Sequence, residues 1–234
     1  MIKLGASVVT MNHLKLNEEI QLLEEVGGVD YLHLDVMDGN FVPRYGIYPE
    51  IIHELSKASK LPLDVHLMVS DVEFALKEIA HIDNIKTVSF HYFTNEGRIF
   101  KLVDAIKDIG AKPILTIDLS VPLSDFLPLV ESEELNGLLF MGIHPGVLKQ
   151  THRPKIVLKK LEELERSISI KEDFILQIDG GFNFETAAEL ARAGINSFVG
   201  GSSSIYKNVM GADNKDCRLA LIKENIRRIR ELVD

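Results

Sequence analysis

Residues 31–68 read YLHLDVMDGNFVPRYGIYPEIIHELSKASKLPLDVHLM. An apolar run at 31–36 leads into an amphipathic stretch at 49–59 that opens on proline, and a second apolar run follows at 62–68. Apolar residues three and four apart make the middle stretch a helix, and short apolar runs without alternation make the outer two strands buried on both faces. Two strands joined through a helix are parallel neighbours, because no tight hairpin can connect them.

The same alternation extends in both directions. Upstream, a strand at 4–9 precedes a helix at 17–26 that stops at Gly27-Gly28. Downstream of 62–68, a helix is expected at 72–80, followed by a strand at 86–90 and a helix at 97–109. A strand at 112–117 and a short helix near 124–130 come next, then a strand at 138–141 and a helix at 154–167. A strand at 174–178, a helix at 183–193 ending at Gly194, a strand at 197–199 and a helix at 215–233 complete the chain. Eight such units without a linker or a shift in composition predict an α/β fold, a closed (β/α)8 TIM barrel, as a single domain over 1–234. A doubly wound open sheet is the alternative, but no GxGxxG follows the first strand.

Composition narrows the function. The 234 residues are 46% hydrophobic and 26% charged, ordinary for a globular protein. A net charge of −9 leaves no basic footprint for nucleic acid, so an anionic substrate needs a local site. The lone Cys217 excludes an internal disulfide and a Cys-rich zinc module. No signal-like or membrane-length apolar segment is present, which predicts a cytoplasmic protein that binds neither nucleic acid nor membrane.

Active sites of such barrels lie at the C-terminal ends of the strands. The first strand carries Ser7, the second ends in His33 and Asp35, the third in His66, and the seventh in Asp179. A strand repeats every two residues, so His33 and Asp35 share a face. Taken singly, each is as readily a hydrogen-bonded core residue. Together they offer two imidazoles and two carboxylates to one divalent cation, with Zn2+ favoured and Fe2+, Mn2+ or Co2+ as alternatives. A cation that holds the oxygens of a hydroxy-ketone acidifies its α-C–H. Asp35 and Asp179, one on each side of the resulting plane, can then remove a proton from one face and return it on the other. Met37 and Met68 come after strands two and three and Met141 ends strand six, as flexible core fillers or as an apolar wall around the reacting group. The glycines at 180, 181, 200 and 201 and the serines at 202–204 suit backbone capture of a phosphate after strands seven and eight.

The segments HLDVMDGNFVP (33–43), DVHLMV (64–69), FH (90–91), PG (145–146) and IDGGFNFETAAELARAGINSFVGGS (178–202) resemble the ribulose-phosphate 3-epimerase family, from Ser7 to about Tyr206. The resemblance implies a barrel of the ribulose-phosphate-binding type. It further implies metal-assisted 3-epimerisation of a ketose phosphate, usually D-ribulose 5-phosphate to D-xylulose 5-phosphate, within the pentose phosphate pathway. On it, His33, Asp35, His66 and Asp179 match metal ligands, Asp35 and Asp179 also matching the acid/base pair. Ser7, Met37, Met68, Met141, Gly146, Gly180, Gly181, Gly201 and Ser202 match substrate-contacting positions. A dimer or hexamer is common in the family.

The departures are local. HPGVLKQ (144–150) stands where the family has NPGFGGQ, so Val147, Leu148 and Lys149 replace two glycines and a phenylalanine. VPRYG (42–46) replaces VPNIT and brings Arg44 and Tyr45 near the mouth. Asp118-Leu119-Ser120-Val121-Pro122 replaces an NPxTP segment, Phe93 lies near the place of a missing glutamate, and one extra serine follows Gly201. Altered surroundings around an intact chemical set allow a related substrate such as D-allulose 6-phosphate, or a sugar-phosphate-binding protein without turnover. His91 reads as a wall or structural residue, and His13, His53, His81 and His152 read as surface positions.

Overall fold

The structure, a computed structural model, describes residues 1–92, 96–147, 150–209, 211–212 and 214–234. Eight parallel strands close into a barrel in chain order: β1 (Lys3–Ser7), β2 (Tyr31–Met37), β3 (Leu63–Met68), β4 (Ile85–His91), β5 (Lys112–Ile117), β6 (Gly137–Met141), β7 (Ile175–Asp179) and β8 (Ser197–Gly200). The crossover helices are α1 (Leu16–Val26), α2 (Pro49–Ala58), α3 (Val72–Ile79), α4 (Ile99–Asp108), α5 (Leu123–Glu131), α6 (Pro154–Ser167) and α7 (Ala187–Arg192), with α8 (Lys215–Val233) closing the ring. The expected architecture is the one observed.

Local chemistry sets the helix starts. Proline opens α2 and α6, where its missing N–H costs nothing. Asp71 and Asn214 cap α3 and α8 by accepting from the N–H groups of Phe74 and Cys217. Two boundaries differ from the sequence expectation by more than fraying. Val8 and Val9 leave β1 for a 3₁₀ turn, Val8–Thr10, in which the Thr10 hydroxyl donates to the Ser7 carbonyl at 2.7 Å. Residues 183–186 form a turn rather than the start of α7, because the Asn183 side chain accepts from the N–H groups of Glu185 and Thr186.

Alternate residues of each strand enter two different cores. One set, including Leu34, Val65, Phe90, Leu115, Phe140 and Ile178, meets the helices in the main apolar cluster. The other set fills the barrel and divides into two sides. Ile114, Leu139, Met141 and Ile175 make an apolar side. Facing them, Tyr31, His33, Asp64, His66, Thr87 and Gln177 form a hydrogen-bonded polar side. The Tyr31 ring crosses the barrel above Gly5, where an added Cβ would lie 2.1 Å from a ring carbon, so only glycine fits at that position in β1. Register then aligns the upper layer: Ser7 pairs with His33, Asp35 with His66, Met37 with Met68, and Met141 with Asp179. No helix among the described residues is long and apolar enough to cross a membrane.

Candidate active site

At the C-terminal mouth of the barrel lies a cavity of about 500 Å3. Ser7, Asp35, Met37, Met68, Met141 and Asp179 line its floor and walls. Gly146, Gly180, Gly181, Gly201 and Ser202 line the side formed by the loops after β6, β7 and β8. His33 and His66 lie fully buried beneath it, within reach of both carboxylates. The structure therefore brings every candidate site residue to one place. Leu148, Lys149 and Phe93 lie outside the described residues.

The donor atoms are closely spaced. His33 Nε2 is 3.2 Å from Asp35 Oδ1 and 3.9 Å from Asp179 Oδ2. His66 Nδ1 is 3.4 Å from Asp35 Oδ1 and 3.7 Å from Asp179 Oδ2. All four donor atoms lie within 4.8 Å of one another, a span that a single divalent ion could bridge. One further observation favours it: His66 Nδ1 is buried and has no hydrogen-bond partner. A buried acceptor left unpaired costs about 1–3 kcal/mol, which a ligand bond would remove. The cluster of His33, Asp35, His66 and Asp179 can hold a metal ion.

The surroundings orient these groups. His33 Nδ1 lies 2.7 Å from Asp64 Oδ2, so its N–H is donated there and Nε2 faces the cluster. Asp64 also accepts from Thr87 at 2.6 Å and from Gln177 at 2.8 Å. The Ser7 hydroxyl donates to Asp35 Oδ2 at 3.2 Å.

Electrostatics separate the two carboxylates near the cavity. Burial disfavours ionised Asp35, but the charge and hydrogen bond of His33 outweigh it and hold this carboxyl far below the usual range. Burial, reinforced by the charge of Asp35, pushes Asp179 upward. Burial likewise opposes the His33 cation, yet Asp35 and Asp64 raise it well above its ordinary value. Burial lowers His66.

The loops above are braced by their own side chains. Asp38 accepts from the backbone N–H groups of Asn40, Phe41 and Ser70, tying the loop after β2 to the loop after β3. Gln150 closes the 144–150 loop by accepting from the His144 N–H and donating to the His144 and Val147 carbonyls. Gly180 and Gly181 adopt φ of +90° and +77°, a conformation only glycine takes without strain. In the serine run after Gly201, Ser203 donates to the Phe182 carbonyl at 3.0 Å and joins the loops after β7 and β8.

Three features were not foreseen. His152 is no surface residue: it lines the cavity, its Nδ1 donates to the Gly180 carbonyl at 2.9 Å, and its buried Nε2 has no hydrogen-bond partner. Burial lowers its pKa. Lys160, buried on α6, donates to the carbonyls of Asp118 and Val121. Arg230 docks α8 by donating to the Gly28 and Ile2 carbonyls and to Asp30.

Residues 3–206 match the model of the ribulose-phosphate 3-epimerase family. The chain belongs to the ribulose-phosphate 3-epimerase family. Membership makes it an isomerase of the epimerase type. It is similar to the ribulose-phosphate 3-epimerase of Methanocaldococcus jannaschii, with 34% identity covering 95% of this chain and 92% of that protein. The ribulose-phosphate 3-epimerase of Bacillus subtilis is 32% identical, over 87% of this chain and 92% of that protein. In fold alone it is similar to 3-hexulose-6-phosphate synthase from Salmonella typhimurium, with a TM-score of 0.67 and 13% identity over 97% of this chain and all of that one.

Proposed function

We propose that this ribulose-phosphate 3-epimerase relative interconverts D-ribulose 5-phosphate and D-xylulose 5-phosphate, using a divalent ion, zinc by preference, held by His33, Asp35, His66 and Asp179. The observation that carries this reading is geometric: two carboxylates, Asp35 and Asp179, face one cavity around one ion-sized cluster, and burial together with the charge of Asp35 raises Asp179 so that the pair can differ in protonation. Environments that separate two like groups assign them acid and base roles. The bound ion supplies Lewis-acid stabilisation of the charge that develops on the substrate oxygens.

The remaining work falls to the chain. In one direction a carboxylate oxygen of Asp35 takes the proton from C3, and the C–H electron pair moves into the adjacent carbonyl to give a planar enediolate. Asp179 then delivers its proton to C3 from the opposite face. The new C–H bond inverts the centre, and the roles reverse for the return reaction. Ser7 holds Asp35 through the Oδ2 hydrogen bond. Met37, Met68 and Met141 present apolar surface that excludes water from the planar species. The phosphate sits against the backbone at Gly181, Gly201 and Ser202, where glycine permits close approach. Arg44, the sole lysine or arginine among the described residues lining the cavity, supplies the countercharge.

Purified protein, stripped of metal and reloaded with zinc, should epimerise ribulose 5-phosphate, and a chelator should stop it. Turnover that survives complete chelation would overturn the metal assignment. A higher kcat/KM on D-allulose 6-phosphate would move the substrate from the pentulose to the hexulose phosphate.

A further inference from the structure

Two buried groups outside the four-residue cluster have no part in the chemistry above, and their hydrogen bonds run toward it. His91 ends β4 and is buried. Its Nδ1 lies 2.8 Å from Asp118 Oδ2, and its Nε2 lies 3.0 Å from His66 Nε2. The His66 and His91 rings are nearly coplanar, with centroids 5.1 Å apart and planes inclined by 14°, so that their Nε2 edges meet. Asp118 follows β5, and buried Lys160 donates to its backbone carbonyl and to that of Val121, holding the turn in place.

Donor and acceptor rules order the protons along this row. A carboxylate only accepts, so the proton between Asp118 and His91 sits on His91 Nδ1. A neutral imidazole with a proton on Nδ1 presents Nε2 as an acceptor. The short contact between the two Nε2 atoms needs one proton, which His66 must then supply. His66 is left with a bare Nδ1, the atom without a hydrogen-bond partner that faces Asp35 and Asp179. The opposite order would place a proton on His66 Nδ1 and block it as a ligand.

We infer that His91 and Asp118 are positioning residues that lock His66 in the Nε2–H tautomer and thereby set the metal affinity of the site. The inference rests on the metal reading given above. His33 is held by a carboxylate directly, through Asp64; His66 is held by one at a remove, through a second imidazole. Partners of this type are worth about 10- to 100-fold in metal affinity.

The test begins with the unaltered protein, carrying ring-15N histidine and studied by NMR without metal and with zinc. The His66 ring proton is expected on Nε2 in the metal-free protein, and the His91 ring proton on Nδ1 in both forms. A proton on Nδ1 of His66, or on Nε2 of His91, would overturn the inference. Zinc affinity is then measured by chelator competition for three variants. H91F keeps a ring and removes the acceptor, and D118L removes the carboxylate; both should bind zinc about 10- to 100-fold more weakly. D118N retains an acceptor oxygen and should stay within about threefold of the unaltered protein. A structural role alone would lower thermal stability and leave zinc affinity unmoved, and that result for folded H91F and D118L would also overturn the inference. If those variants do not fold, the tautomers of the unaltered protein decide alone. Failure of the unaltered protein to take up zinc would remove the metal reading itself, a result distinct from a wrong tautomer.

Discussion

Asp64 is the most heavily used buried carboxylate in the barrel, and replacing it has consequences that can be worked out in advance. Its oxygens accept from His33 Nδ1 at 2.7 Å, Gln177 Nε2 at 2.8 Å and Thr87 Oγ1 at 2.6 Å. Asp64→Ala removes the acceptor for all three. The Thr87 hydroxyl can rotate, and Gln177 keeps its bond to Tyr31, so the main penalty falls on the His33 N–H. Breaking a buried charged pair on one side costs about 3–5 kcal/mol, a large part of the roughly 5–15 kcal/mol that holds a domain folded. Asp64→Asn keeps an acceptor for His33 and should cost about 1–2 kcal/mol. Urea unfolding of the metal-free proteins measures both, and chelator competition measures zinc affinity, which should fall about 10- to 100-fold for the alanine variant.

The pH dependence has a definite sign. His33 is raised above 6.5, so its contribution is complete below that value and fades as pH climbs through the folded value. Asp64 is lowered from 3.8 by His33 against the opposing effect of burial, so its contribution is present above that value and fades on acidification. The difference between unaltered and Asp64→Ala protein should therefore be greatest between about pH 4 and 6.5 and shrink on either side. A loss below about 1 kcal/mol across this window, with zinc affinity within about threefold, would refute the role given to Asp64.

Asp35 and Asp64 raise His33 above its ordinary value against burial, so zinc binding near pH 7 should release protons, and apparent affinity should rise with pH. Titration calorimetry in buffers of different ionisation heat reads the release directly, and none would contradict the raised His33. Arg44→Met should raise KM for a ketose phosphate about 10- to 100-fold, the worth of a charge-assisted hydrogen bond, with kcat changed much less. An unchanged KM would remove Arg44 from phosphate recognition. Gly5→Ala forces the Tyr31 ring from its place and should cost about 1–3 kcal/mol in urea unfolding, and a neutral result would mean that the ring has room to move.

The barrel was legible in the sequence because each strand is buried on both faces and each helix carries its own apolar stripe. Those patterns are local, and so are the start signals at Pro49, Pro154, Asp71 and Asn214. His33 and Asp35 were legible for the same reason, since period two places them on one face, and parallel register carries the pairing to His66. What stayed hidden depends on approach in space. The His66–His91–Asp118 row joins residues from three strand ends whose spacing carries no signature. His152 looked like a surface residue because the loop after β6 is polar, yet that loop folds its ring against Gly142, Gly180 and Gly181. The 183–186 turn was hidden by the apolar period that runs through it, where the Asn183 side chain competes with the helix for backbone N–H groups.

Proton exchange at C3 of the substrate tests the paired-carboxylate chemistry most directly. In D2O, zinc-loaded protein should wash deuterium into C3 of ribulose 5-phosphate as xylulose 5-phosphate appears. Asp35→Asn and Asp179→Asn should each slow interconversion by about 100-fold or more, the usual worth of a positioned acid or base. Interconversion at the unaltered rate in either variant, with zinc still bound, would contradict the assignment of Asp35 and Asp179 to opposite faces of the substrate.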